Sequence, residues 1–372
     1  MKKVMFVFGT RPEAVKVCPV IKEFQRRGNF EVVVAVTAQH REMLDGVLEH
    51  FEVIPDYDLD LMRTGQTVSY LTVRVLAEVG RLIGQEKPSL LMVHGDTTTA
   101  FASALAAFYQ KVPIGHIEAG LRTGNIYSPY PEEFNRLAVG LVADIHFAPT
   151  ERARANLLAE GKRSERIFVT GNTVVDALKG TVSEGFGHPL LEWAGKRRII
   201  FLTCHRRENL GEPMRGILRA VKRAAAELED VCVICPVHKN PAVQNIVCEE
   251  LGNIDKIALC TPLDLVSCHN VMARSYAILT DSGGIQEEAA ALGKPTLVLR
   301  ESTERPEGVE AGVLRLVGVG EQAVFGEIMD LLGNAEIYGS MKGRPNPYGD
   351  GKASAKIAEA VEKLLYSSEF GS

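Results

Sequence analysis

Two carboxylates and one imidazole stand just behind short apolar runs, and a third carboxylate opens a predicted helix. They are Asp96 in His94-Gly-Asp-Thr-Thr-Thr99, Glu118 in His116-Ile-Glu-Ala-Gly-Leu-Arg122, Glu132 in Tyr127-Ser-Pro-Tyr-Pro-Glu-Glu133, and His205 in Thr203-Cys-His-Arg-Arg-Glu-Asn209. Carboxylates gathered at one site raise one another's pKa, which suits general acid and base catalysis. Each also has a structural reading. Asp96 could cap a helix, Glu132 could offset the dipole at a helix start, and His205 could serve only as an anion ligand.

Two further segments have phosphate-binding character. Gly9-Thr-Arg-Pro-Glu-Ala-Val-Lys16 follows the first apolar run and offers Arg11 and Lys16 to an anion. Thr280-Asp-Ser-Gly-Gly-Ile-Gln-Glu-Glu288 places Ser282, Gly283 and Gly284 at a predicted helix start, where bare N–H groups and the helix dipole favour a phosphate. Glu288, one turn further on, is placed to accept ribose hydroxyls. Neither segment is a GxGxxG fingerprint or a P-loop, so nicotinamide and P-loop nucleotide chemistry lose support.

The elements that must position these residues are legible in the apolar pattern. Continuous β-branched runs occur at 4–8, 32–36, 90–93, 114–116, 145–148 and 167–169, and again at 199–202, 231–234, 257–259, 277–279 and 296–299. Such runs are the mark of parallel strands buried on both faces. Amphipathic segments separate them, so the fold class is α/β, doubly wound, in two Rossmann-like domains. The break in the pattern near 170–175 divides residues 1–170 from 171–358. The last helix could cross back onto the first domain, which would then gain 359–372. In such sheets ligands bind beyond the carboxyl ends of the strands, where every candidate residue above falls.

The 372 residues exceed a single domain at about 150 residues each. A net charge of −5, with 42 basic and 47 acidic residues, argues against a general nucleic-acid binder. The opening apolar run is too short for a signal peptide, and none is long enough for a membrane span. Seven cysteines without framework spacing predict reduced thiols and a cytoplasmic protein. Cys232 and Cys235 form a CxxC inside a predicted buried strand, with no second pair to complete a zinc site.

Together these residues resemble the non-hydrolysing UDP-N-acetylglucosamine 2-epimerases. The matching stretches include FGTRPEAVK (8–16), HGDTTTA (94–100), HIEAGLRTGNIYSPYPEEFNR (116–136), TGNTVVDAL (170–178), HRRENLGEPM (205–214), TDSGGIQEEA (280–289), ERPEG (304–308) and NPYGDG (346–351), in family order. The resemblance implies a glycosyltransferase-B-like pair of domains with the active site in the cleft between them. It implies interconversion of UDP-N-acetylglucosamine and UDP-N-acetylmannosamine by elimination of UDP to a 2-acetamidoglucal and re-addition. It also implies a homodimer, while the lack of a Rossmann glycine fingerprint and of a metal-ligand cluster predicts no cofactor or metal. On this reading Asp96, Glu118, Glu132 and His205 are catalytic. Arg11, Lys16, Ser282, Gly283, Gly284, Glu288 and Arg305 hold the nucleotide.

Gln39, Arg206 and His238 match an activating second UDP-sugar site of the family. Glu42 and Gly65 stand where Gln and Arg are typical, which predicts weak or absent activation. Cys268 replaces an aromatic expected against uracil, and Cys204 replaces a small residue before the histidine. The rival readings are a hydrolysing epimerase releasing N-acetylmannosamine and UDP, an epimerase of a related UDP-sugar, a retaining glycosyltransferase, and a non-enzymatic sugar-nucleotide sensor.

Overall fold

A computed structural model describes residues 1–37, 41–61 and 65–367; Gln39 and the side chain of Glu42 lie outside what is described. The strands are β1 (Lys2–Phe8), β2 (Phe30–Val36), β3 (Tyr57–Asp58), β4 (Leu90–His94), β5 (Ile114–Ile117), β6 (Ile145–Ala148) and β7 (Ile167–Val169). They continue with β8 (Arg198–Thr203), β9 (Val231–Pro236), β10 (Ile257–Cys260), β11 (Ala277–Thr280), β12 (Thr296–Val298) and β13 (Leu314–Leu316). One sheet has the order β3-β2-β1-β4-β5-β6-β7, the other β10-β9-β8-β11-β12-β13, and all pairings are parallel. The two-domain α/β class read from the sequence is therefore the observed one. Strands β3 and β13 were not among the expected runs. Both are short and lie at sheet edges, where burial on both faces is not required.

Each sheet is sandwiched by helices whose caps are visible in the sequence. The Arg11–Arg27 helix opens with a Thr10/Glu13 capping box and closes on Gly28 in the left-handed region. In the second sheet, Met214, Ile217, Leu218 and Val221 of the Glu212–Glu227 helix share a core with Val324, Ile328 and Leu331 of the Glu321–Gly333 helix. Truncating the fully buried Leu218 to alanine would cost about 2–5 kcal/mol. Cys232 and Cys235 enter cores on opposite faces of β9, as residues three apart in a strand must, and all seven cysteines are free thiols.

The chain divides into one compact unit of 1–179 with 348–372 and a second of 180–347. This differs from boundaries at 170/171 and 358/359, and backbone hydrogen bonds give the reason. Asn172 N donates to Tyr348 O at 2.7 Å, and Asp176 accepts from the N–H groups of Ala353 and Ser354 at 3.1 and 2.8 Å. The two chain segments cross at glycines. A Cβ on Gly349 would sit 2.9 Å from Gly171 Cα, so side chains are excluded there. The Ala353–Tyr366 helix then packs beside the Arg11–Arg27 helix, tied by Arg27 to Glu362 at 2.8 Å and by Tyr366 Oη to Asn29 O at 2.6 Å. Among the described residues no helix is long and apolar enough to cross a membrane.

Candidate active site

Both sheets reverse their winding once, between β1 and β4 in the first and between β8 and β11 in the second. At such a point two neighbouring loops diverge and leave a crevice beyond the strand ends. The loops concerned and the helix starts that follow them carry Gly9–Lys16 and Asp96 in the first unit, and His205 and Asp281–Gly284 in the second.

In the first unit, Glu13 is turned inward. Its carboxylate accepts from the N–H groups of Gly9 and Thr10 at 3.1 and 2.8 Å and from Thr97 Oγ1 at 2.7 Å. Burial raises its pKa, against these hydrogen bonds. Glu13 thus knots the loop behind β1 to the loop behind β4. Lys16, buried on the same helix, pairs with Glu118.

Glu118 also accepts from Asn172 Nδ2 at 2.9 Å, and its backbone takes a left-handed φ of 63°. For a residue other than glycine that conformation costs roughly 1–2 kcal/mol and aims the carboxylate where extended backbone would not. His94 Nε2 lies 3.8 Å from Glu118 Oε2. Burial holds the His94 pKa down at about 4, so the ring is neutral at pH 7. His116 is structural: its Nε2 bonds Gly95 O at 2.7 Å, and burial lowers its pKa to about 3.

Asp96 is gripped by Arg136, through Nε at 3.1 Å and through Nη2. Arg136 Nη1 donates to the buried Glu133 at 3.0 Å, and Glu133 accepts from Thr123 N at 2.9 Å. The helix following Asp96 is capped by Thr97, not by Asp96. Glu132 opens the Glu132–Val142 helix, partly exposed, in the first turn where the dipole favours an acid.

In the second unit, Asp281 is fully buried behind β11. Its Oδ2 accepts from His205 N and Arg206 N, both at 2.8 Å, and from Asn209 Nδ2 at 3.0 Å. The His205 ring stacks on His238, with centroids 5.2 Å apart and planes within 4°. Arg206 and Arg305 converge on Glu304, each at 3.1 Å, and Arg300 joins them at 2.6 Å. Burial works to raise the Glu304 carboxyl, but the guanidinium groups of Arg305, Arg300 and Arg206 outweigh it and hold the pKa at about 2.

The Gly283–Ala291 helix starts behind Ser282, which makes no side-chain capping bond. A Cβ on Gly284 would meet nothing within 4 Å, whereas one on Gly283 would press the Arg305 guanidinium at 3.1 Å. The helix start therefore has open space above one glycine and an arginine beside the other. Glu288 lies on this helix, 3.6 Å from the buried His269. Cys268 Sγ approaches Met272 Sδ at 3.8 Å. Among the described residues no three His, Cys, Asp or Glu side chains gather as a metal site.

The family model described as UDP-N-acetylglucosamine 2-epimerase matches residues 22–362. The UDP-N-acetylglucosamine 2-epimerase of Bacillus subtilis (strain 168) is 51% identical over 364 residues, covering 98% of this chain and 95% of the relative. The chain belongs to the UDP-N-acetylglucosamine 2-epimerase family.

Solved epimerase structures superpose over nearly the whole chain. The S. aureus MnaA–UDP co-structure has a TM-score of 0.93 at 50% identity, covering 98% of this chain and 97% of that one. The Neisseria meningitidis enzyme bound to UDP-GlcNAc has a TM-score of 0.91 at 43% identity, covering 97% and 100%. Against this family background, the first unit brings Lys16 to Glu118 and collects Asp96 and Arg136. The second collects His205, Arg206, His238, Ser282–Gly284 and Arg305. Sequence reasoning passed over Glu13, Glu133, Asn172, Asp281 and Glu304 as functional supports. Their signal was present, since each lies inside a stretch shared with the epimerases, but an acid in a loop does not announce what it will hold.

Proposed function

We propose that the protein interconverts UDP-N-acetylglucosamine and UDP-N-acetylmannosamine by eliminating UDP to a 2-acetamidoglucal and re-adding it with the C2 proton on the other face. The observation that carries the reading is the pair of residue sets at the two switch points, in a chain of the epimerase family. One set is rich in carboxylates and the other presents an open helix start flanked by arginine. The C2 proton is weakly acidic, so its removal must be coupled to departure of a stabilised diphosphate. Ser282, Gly283, Gly284 and Arg11 stabilise that leaving group, and Glu288 and Arg305 hold the nucleoside. Asp96, Glu118 and Glu132 exchange protons with C2 and the glycosidic oxygen, and His205 works beside the phosphate. Arg206 and His238 belong to a weak activating subsite, since Gly65 supplies no cation.

The same reading gives a cytoplasmic homodimer. The helices Val68–Glu86, Thr98–Tyr109 and Glu132–Val142 pack side by side and leave Val73, Phe108 and Leu141 exposed. The middle helix has no charged residue, so two copies of that helix can meet without like-charge opposition. Sedimentation of Leu141→Arg should give a monomer where the parent sediments as a dimer; a monomeric parent counts against the dimer.

The test of the chemistry is isotopic. In heavy water the product should carry deuterium at C2, and recovered substrate should acquire it as equilibrium is approached. Retention of protium in epimerised product excludes elimination. Irreversible release of free sugar assigns the hydrolysing activity instead.

A further inference from the structure

One oxygen of Asp281 is fully used and the other is not. Oδ2 takes three N–H donors from the loop behind β8, whereas Oδ1 takes no N–H donor among the described residues and lies 3.5 Å from His205 Nδ1; the buried Cys204 thiol also lies against this carboxylate. The carboxylate is fully buried, while the imidazole it faces is 35% exposed. A buried acceptor aimed at one ring nitrogen of a partly exposed histidine fixes both the ring's orientation and its tautomer.

We propose that Asp281 is the positioning residue for His205, holding the loop with Oδ2 and the Nδ1–H tautomer with Oδ1, so that Nε2 is the basic nitrogen. The inference rests on the reading that His205 acts in the reaction. It adds the division of labour between the two carboxylate oxygens.

Three groups act on the charge of His205 besides burial, which lowers its pKa most. Asp281 opposes burial, while the stacked His238 and the adjacent Arg206 add to it. Asp281 is thus the one group among them that favours the imidazolium, the form that would stabilise a departing diphosphate.

Asp281→Asn separates positioning from simple loop support. The amide oxygen can occupy the Oδ2 place and keep the three N–H bonds. The NH2 then falls at the Oδ1 place and, being a donor, demands a lone pair on Nδ1. The expected result is an unchanged melting temperature together with a switch of His205 to the Nε2–H tautomer in nitrogen-15 NMR. Its pKa should drop by about one pH unit or more. Turnover should fall about a hundredfold or more, with KM much less affected.

His205→Asn is the companion variant. If it turns over normally, the catalytic reading of His205 fails, and the NMR titration still reports on Asp281 independently. If His205→Asn is slow but Asp281→Asn keeps normal turnover and an unchanged His205 titration, the inference is overturned. Should Asp281→Asn not fold, the parent protein decides: an Nε2–H tautomer at His205 overturns the proposal, and Nδ1–H supports it.

Discussion

Lys16 and Glu118 form an ion pair in the first unit, and each side chain is only 9% exposed. The cation expected to meet a diphosphate and the carboxylate expected to move a proton are therefore partners. Asn172 and the strained backbone of Glu118 add to the same arrangement. Removing one partner leaves the other buried without its opposite charge, which costs up to about 3–5 kcal/mol.

A stability cycle tests this pairing. Lys16→Met and Glu118→Gln should each lower the urea midpoint, and the double variant should be more stable than the sum predicts, by about 1–3 kcal/mol. Additive effects would show that the two side chains do not depend on each other.

Arg136 bridges Asp96 and the buried Glu133. Arg136→Gln should lower turnover by about tenfold or more through misplacement of Asp96. It should also destabilise the first unit, because Glu133 loses its cation. Kinetics and denaturation on the same preparation check both. Normal turnover in a destabilised variant would confine Arg136 to folding.

Gly284 and Gly283 are adjacent but not equivalent. With open space above its Cα, Gly284→Ala should fold normally. The added methyl should nonetheless obstruct a phosphate, weakening UDP binding measured by calorimetry. Undiminished UDP affinity in Gly284→Ala would place the phosphate elsewhere.

The buried histidines set an acid limit on stability. Burial lowers the pKa of His94 and His146 to about 4 and that of His116 to about 3. Between these values and about 6.5 the unfolded chain binds protons that the folded chain does not. Their contribution is therefore present above about 6.5 and is lost as pH falls towards 4 and below. The urea midpoint should decline between pH 7 and pH 5, and His116→Gln should flatten that decline while lowering the midpoint at pH 7. A parent midpoint that stays level over this range contradicts the assignment.

The reading from residues reached most of the fold because its signals are local. Continuous apolar runs at β1, β4, β8 and β11 need no partner to be recognised, and Thr10 with Glu13 or Gly28 mark helix ends within a few residues. Placement of Asp96, Glu118, His205 and Ser282–Gly284 behind strands followed from the same local pattern, since side chains just past a parallel strand must line its carboxyl end. The short edge strands β3 and β13 were missed because two or three residues carry no period.

What the amino-acid order alone determined is thus the set of elements, their parallel winding and the chemical types gathered at the strand ends. The tertiary structure decided which of those groups hold one another. Lys16 meets Glu118 across a separation of 102 residues, Arg136 meets Asp96 across 40, and Asp281 meets the His205 loop across 76. It also drew residues 171–179 and 348–358 into the first unit through Asn172, Asp176 and a glycine crossing. Such pairings depend on distances through space between oppositely charged or complementary polar groups, and a buried charge must find a partner wherever the fold brings one. Local propensity contains no record of that distance.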